Sequence, residues 1–297
     1  MKNIIVVTGG AGFVGTNLIE LFLKKTNYRI ISIDNYTSGF KKNHIKNKRI
    51  KYIYGHTKNI SKILIKFKKN IHSIFHFGEF ARIYQSFLKL NDCIESNSIG
   101  SNAVFNFCLQ NNIKLIYSAT SATLGNGGND KNLSPYAFTK AKNLELLDNL
   151  KKWFKFKFEI IYFYNVYGPK QICKGDMATV IGIFENAYLN NFPLPVVNPG
   201  TQTRRFTHIS DTVETCYLAW KNNKCRHYSI SHKKSLSILK VASLFGKKVK
   251  FLSPRKGERY ASALTSMNLS NKVFKKFGKI NLENYIKNFI KINDKLA

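Results

Sequence analysis

Thr8-Gly9-Gly10-Ala11-Gly12-Phe13-Val14-Gly15, directly after Ile4-Ile5-Val6-Val7, decides the fold of this 297-residue chain. The apolar run predicts a buried strand, and the glycines predict a turn that opens a helix from Thr16 to Lys25. Gly9 permits the tight turn, Gly12 lets the backbone approach a pyrophosphate, and Gly15 lets the helix pack on the strand. The free N–H groups and dipole of the helix N-terminus favour that negative charge. Asp34 ends a second apolar strand, Arg29 to Ile33, about 20 residues further on. Its carboxylate can accept both adenosine ribose hydroxyls and would repel a 2′-phosphate, so the expected cofactor is NAD rather than NADP. An ordinary strand-to-helix turn would show the glycines without the acid at this spacing.

The chain is 44% hydrophobic and 13% aromatic, enough for one large α/β domain with a smaller lobe. No stretch approaches the roughly 18 apolar residues that span a bilayer, and the N-terminus reads as the first strand rather than a signal peptide. No membrane partner is expected. The five cysteines are scattered, without metal-site spacing. They imply reduced thiols, a cytoplasmic setting and no metal. The net charge of +32 would suit nucleic acid. The excess is mostly lysine spread along the chain, as at 41–51 and Lys62–Lys69, and reads as solvated faces. It predicts weak, salt-sensitive polyanion binding and no specific nucleic acid.

Strands are expected at Ile50–Tyr54, Ser73–Phe77, Lys114–Ser118 and Phe158–Tyr164. They alternate with helices at Asn59–Phe67, Asp92–Gln110 and Pro135–Trp153. This rhythm predicts an α/β fold, a Rossmann-type doubly wound parallel sheet. Past Gly168 the pattern loosens, with helices at Ala178–Leu189 and Asp211–Lys221. The expected division is a dinucleotide-binding domain over 1–168, with a segment near 205–230 returning to it. Residues 169–297 form mainly a smaller C-terminal substrate-binding lobe.

Tyr136 and Lys140 stand at i and i+4 at the start of the long helix, on one face. A phenol is a poor base at neutral pH unless a cation favours its phenolate. Lys140 supplies that cation, so Tyr136 can move a proton on and off a substrate hydroxyl. Ser118-Ala119-Thr120-Ser121 offers a further hydroxyl at a strand C-terminus.

With these motifs in hand, the chain resembles, nearly end to end, the NAD-dependent sugar-nucleotide epimerase/dehydratase family of extended short-chain dehydrogenases/reductases. Further landmarks are Asp34-Asn35-Tyr36-Thr37-Ser38-Gly39, Phe75-His76-Phe77-Gly78, Ser86 and Asn97-Ser98-Ile99-Gly100. Tyr164-Asn165-Val166-Tyr167-Gly168-Pro169, Gln202-Thr203-Arg204-Arg205-Phe206 and Arg255-Lys256-Gly257-Glu258 complete them. The resemblance implies catalysis by Thr120, Tyr136 and Lys140. It implies cofactor contacts at Gly9, Gly12, Phe13, Val14, Gly15, Asp34, Asn35, Tyr36, Ser38 and Gly39. These continue at His56, Thr57, Phe77, Gly78, Asn97, Ser118, Tyr136, Lys140 and Tyr164. Substrate contacts are implied at Glu79, Ser86, Thr120, Asn165, Ala178, Val180, Arg204, Arg255 and Ser262. Asn165, Arg204 and Arg255 would hold the sugar-nucleotide diphosphate, a task suited to the guanidinium fork. A homodimer through the helices Asp92–Gln110 and Pro135–Trp153 is also implied.

Three residues depart from the family pattern. His56 follows Gly55 where relatives carry an acid for the adenine amino group, Arg205 replaces an Asp, and Leu124 replaces a Tyr. Relatives that dehydrate carry Asp-Glu after the threonine, decarboxylases a Glu, and C3/C5 epimerases a nearby Cys. Ser121-Ala122 provides none of these. The expected reaction is C4 epimerisation of a UDP-hexose through a 4-keto intermediate. Ser262, at the size-gating position, favours UDP-GlcNAc/GalNAc over UDP-glucose/galactose. A heptose-nucleotide epimerase or a C4 oxidoreductase would need no different residues here. RNA-binding and NAD-sensing proteins on the same scaffold are the alternatives of another class, and the Tyr136/Lys140 pair argues against both.

Overall fold

The computed structural model describes residues 2–258 and 273–294. Six strands come first: β1 (Ile4–Thr8), β2 (Arg29–Asp34), β3 (Ile50–Tyr54), β4 (Ile71–His76), β5 (Lys114–Thr120) and β6 (Phe158–Phe163). They lie in the order β6-β5-β4-β1-β2-β3, and His227–Ser231 and then Val273–Phe277 extend the β6 edge. Every pairing in this eight-stranded sheet is parallel. The strand order reverses between β1 and β4, and in such sheets ligands bind beyond the strand C-termini at that point.

All five residues of β1 are buried, as expected where helices cover both faces. Successive side chains point to opposite faces. Ile4 and Val6 enter a core with Val104, Phe105 and Leu147 from the helices Ser101–Gln110 and Pro135–Phe154. Ile5 and Val7 enter another with Leu18, Ile19, Val213 and Cys216 from the helices Phe13–Lys25 and Ile209–Asn222. A third core holds the lobe, where Phe184, Val241 and Ile286 join the helices Val180–Leu189, Ile238–Leu244 and Leu282–Asp294. Strands Leu194–Val197 and Val249–Leu252 pair in parallel at its rim. Among the described residues no helix is long and apolar enough to cross a membrane.

Three elements differ from expectation. The helix expected over Asn59–Phe67 is only Ile60–Leu64, entered by a 3₁₀ turn at Thr57–Asn59. The helix predicted over Asp92–Gln110 is three pieces: Leu90–Ile94, a π-helical turn Glu95–Gly100, and Ser101–Gln110. The wider turn lets Asn97 accept from the N–H of Phe80 (2.7 Å) and donate to Phe80 O (3.1 Å) and Thr139 Oγ1 (3.1 Å). A regular helix would carry that amide past these partners, and such bulges recur at functional sites. The strand Val273–Phe277 was not foreseen within the segment read as mainly lobe. It follows the returning strand His227–Ser231, whose five residues all pair with it.

Glu159 anchors this edge. Its fully buried carboxylate accepts from the N–H groups of Cys225 (2.9 Å) and Arg226 (2.7 Å), just before His227–Ser231. It also pairs with Lys114 Nζ at 3.1 Å. Burial pulls the Lys114 pKa down, and the carboxylate opposes this. Removing one partner of a buried pair strands the other charge. Glu159→Ala is expected to cost about 3–5 kcal/mol by urea denaturation, with part recovered in the double variant carrying Lys114→Met. An unchanged unfolding midpoint would contradict this role.

Candidate active site

A cleft of about 620 Å³ opens at the C-terminal ends of β1, β4 and β5, between sheet and lobe. Its dinucleotide end is the glycine turn. Gly9 has φ +68°, and a Cβ there would sit 2.9 Å from the Phe77 and Gly78 backbone. A Cβ on Gly15 would lie 2.2 Å from Gly9 O, so helix and turn close only around hydrogen. Gly12 caps the helix Phe13–Lys25, whose first N–H groups lack intrahelical acceptors.

Asp34 lines the same end. Its Oδ2 accepts from Ala11 N–H (2.9 Å) and Oδ1 from Tyr36 N–H (2.8 Å), which fixes the carboxylate. Burial pushes its pKa up, and these backbone bonds pull it down. Gly39 leaves room for it, since a Cβ there would fall 2.7 Å from Oδ2. Phe13, Val14, Asn35, Ser38, His56, Thr57, Phe77, Gly78 and Ser118 also line the cleft. His56 Nδ1 accepts from Lys58 N–H (3.1 Å), and Nε2 lies 3.6 Å from Glu95. Burial holds the His56 pKa below its ordinary value. The cradle and the acid fit a dinucleotide with a free ribose diol.

Thr120, Tyr136 and Lys140 line one wall and are all at most 9% exposed. Ser134 caps their helix by accepting from Ala137 N–H (3.1 Å), and Pro135 occupies its first turn. Ser86 Oγ accepts from Tyr136 N–H (3.2 Å). Lys140 Nζ donates to Ser118 O (2.5 Å) and to Glu79 Oε2. Two of its three ammonium protons are thereby engaged.

Glu79 was expected to touch substrate. It lines the cleft, yet its carboxylate is engaged inward by Lys140, Ser101 Oγ (2.8 Å) and Tyr117 OH (2.9 Å). Ser101 donates to Glu79, so it accepts from His76 Nε2 (2.9 Å). That fixes the tautomer, with His76 Nδ1 accepting from Thr8 Oγ1 (2.8 Å). Thr8 Oγ1 in turn accepts from the N–H groups of Phe77 (3.1 Å) and Gly78 (3.0 Å). Asn143 joins through Tyr117 OH (3.0 Å) and Asn97 O (2.6 Å). The sequence reading passed over Ser101, Tyr117 and Asn143. Only the i, i+3 spacing of Lys140 and Asn143 could have pointed to one of them.

At the substrate end, Asn165, Ala178, Val180, Arg204 and Arg255 line the cleft. Asn165 Nδ2 donates to Arg205 O (2.8 Å). Arg204 is ion-paired to Glu258, and Arg255 sits 5.2 Å from the Tyr84 ring. Tyr36, Gly39, Ser86, Asn97 and Tyr164 stand outside the lining. Ser86, Asn97 and Tyr164 are buried behind it, and Tyr164 OH accepts from Ser229 (3.0 Å). Ser262 lies outside the described residues. Among the described residues no cluster of His, Cys, Asp or Glu could hold a metal.

The buried relay makes stability depend on pH. Burial pushes the His76 pKa down to about 4, with Glu79 pulling it up and Lys140 down. Below its ordinary value the unfolded chain binds a proton that the folded chain refuses. Stability is therefore complete above about pH 6.5 and falls as pH drops, by about 3 kcal/mol near pH 4. Urea midpoints measured across that range should fall less steeply for His76→Gln than for the native chain. Parallel slopes would show that His76 is not the titrating group.

The sequence profile of the NAD dependent epimerase/dehydratase family matches residues 5–231. An ADP-L-glycero-D-manno-heptose-6-epimerase of Fusobacterium nucleatum is 28% identical over 261 residues, 80% of this chain and 77% of that protein. A putative UDP-glucose 4-epimerase of Methanocaldococcus jannaschii is 26% identical over 280 residues, 86% of this chain and 88% of that protein. The crystal structure of a Thermotoga maritima UDP-glucose 4-epimerase with UDP-glucose superposes with a TM-score of 0.84 at 22% identity. The match covers 99% of this chain and all of that one. The glycine cradle, Asp34 and the wall bearing Thr120, Tyr136 and Lys140 thus sit in a chain that belongs to the NAD-dependent epimerase/dehydratase family of sugar-nucleotide enzymes.

Proposed function

We propose that the protein is a 4-epimerase of a UDP-hexose. The observation that carries this reading is the chemistry beside Thr120. Ser121 and Ala122 line the cleft there, and none of the five cysteines does. Glu79 is the nearest acid to Lys140 and is already its ion partner. Elimination, decarboxylation and C3/C5 proton exchange each call for an acid or thiol on the sugar, and this wall supplies hydroxyls instead. Bound NAD supplies the hydride acceptor and donor at C4. Tyr136 takes the O4 proton as C4 is oxidised and returns it after the 4-ketose has turned over. Thr120 holds the same oxygen. Lys140, held by Glu79 and Ser118 O, keeps the phenolate favourable and hydrogen-bonds the nicotinamide ribose.

Under this reading the glycine turn, Asp34, Asn35, Ser38, His56 and Thr57 hold the cofactor, while Asn165, Ala178, Val180, Arg204 and Arg255 hold the sugar nucleotide. Ser86, Asn97 and Tyr164 shape the site from behind its surface, Gly39 leaves room for Asp34, and Tyr36 fixes the Asp34 carboxylate through its N–H. Residues 1–168 with the returning segment form the dinucleotide domain, and the remainder forms the substrate lobe. Leu88, Leu90, Ile99, Phe138 and Trp153 are exposed near the helices assigned to a homodimer interface. The five free thiols suit the cytoplasm.

The test is to incubate protein and NAD⁺ with UDP-GlcNAc, UDP-glucose and UDP-glucuronate and to follow the anomeric protons by NMR. A second epimer growing to a fixed ratio is the expected result. Tyr136→Phe should lower the rate by about 10²–10⁴-fold with NAD binding retained. A full rate in that variant would remove Tyr136 from the chemistry.

A further inference from the structure

Among the described residues Arg82 has no ion-pair partner. It lines the cleft on the loop between β4 and the short helix Ile83–Leu88. Its Nη1 donates to Ala81 O (2.8 Å) and its Nη2 to Met177 O, both neutral acceptors. Its Nε is buried and has no hydrogen-bond partner. All sixteen acidic side chains of the chain lie among the described residues, and none is ion-paired with Arg82. The other cleft cations are provided for. Lys89 pairs with Asp176, Lys140 with Glu79 and Arg204 with Glu258, while Arg255 lies against the Tyr84 ring.

A half-buried guanidinium on the cleft wall, with one orphaned donor and no counter-charge, suits an anion, because carbonyls satisfy protons without cancelling charge. Phe80 and Ile83, on either side of the Ala81-Arg82 pair, pack against the cluster that holds Tyr136, and Arg82 and Tyr136 line the same cleft. Arg82 therefore stands at the end of the cleft where Tyr136 meets O4 in the proposed reading. On a pyranose ring C4 and C1 are opposite corners. The diphosphate on C1 points away from Tyr136, whereas the substituent on C5 adjoins C4. Met177 O, held by Arg82, directly precedes Ala178 on the lobe side of the same wall.

We propose that Arg82 is a specificity-determining residue that binds a carboxylate on C5 of the sugar, so that the substrate is a nucleotide-linked hexuronate. This rests on the reading of the cleft as a UDP-sugar site. Arg82 offers the Nη protons not taken by Ala81 O and Met177 O to the carboxylate, a charge-assisted pairing. A neutral hydroxymethyl group at C5 leaves the guanidinium without a counter-charge.

Calorimetric titration of the NAD-loaded protein with UDP, UDP-glucose and UDP-glucuronate tests this without requiring turnover. UDP-glucuronate should bind about 10- to 100-fold more tightly than UDP-glucose. In Arg82→Gln that ratio should fall to about one, and Arg82→Lys should restore part of it, since a lysine keeps the charge but loses the fork. Retained NAD binding shows that each variant is folded. Equal affinity for the two sugars in the native protein overturns the proposal. So does an Arg82→Gln variant that weakens UDP as much as UDP-glucuronate, for the arginine would then meet the diphosphate. Failure of UDP itself to bind overturns the UDP-sugar reading, and this proposal with it.

Discussion

The contact on which the site depends is the ion pair between Glu79 and Lys140, with both side chains almost wholly buried. On the proposed mechanism Lys140 must stay charged to bias the Tyr136 phenol, and burial works against that charge. The pKa of Lys140 is indeed lowered by burial and held up chiefly by Glu79. The carboxylate is held in turn by Ser101 and Tyr117, so its own position is fixed. Through His76 the chain of donors reaches Thr8, the last residue of β1 before the glycine turn. The glycine turn and the wall bearing Lys140 are thus parts of one hydrogen-bonded unit. Partly satisfied buried networks are costly and complete ones rigidify, so the site gains a single defined arrangement.

The features legible in the sequence were those written within a few residues of one another. The glycine turn, the apolar runs of parallel strands and the i, i+4 pair on the long helix are local patterns. They led to the sheet, to Asp34 and to the wall bearing Tyr136 and Lys140. The relay was not legible, because its members come from β1, β4, β5 and two helices that meet only in the folded chain. Glu79 looked like a substrate contact, since nothing local shows a carboxylate turning inward to a lysine 61 residues away. The π-helical turn hid inside an ordinary helical pattern, because it answers a tertiary demand, the clamping of Phe80 by Asn97. Arg82 was invisible for the opposite reason. In a chain with 48 lysines and arginines, one more arginine carries no signal until its surroundings are known.

The substrate end shows how charge is apportioned in so basic a protein. With only 16 acidic residues, several are committed to the site: Glu79 to Lys140, Glu258 to Arg204 and Asp176 to Lys89. These pairs fix the cations in place and moderate the local field. An incoming sugar nucleotide meets cations that are already oriented, which favours discrimination over bare attraction.

The path of the chain through the two layers sets how the cleft can open. After β6 it runs out to the lobe helix Val180–Leu189 and back to the sheet at Ile209–Asn222 and His227–Ser231. It goes out again at Ile238–Leu252, back at Val273–Phe277, and out a last time at Leu282–Asp294. Each crossing adds a segment that any hinge motion would have to bend, so a lobe sewn to its sheet by repeated crossings is more restrained than one on a single linker. On the proposed reading, a dinucleotide lying beneath that seam would stay bound from one turnover to the next.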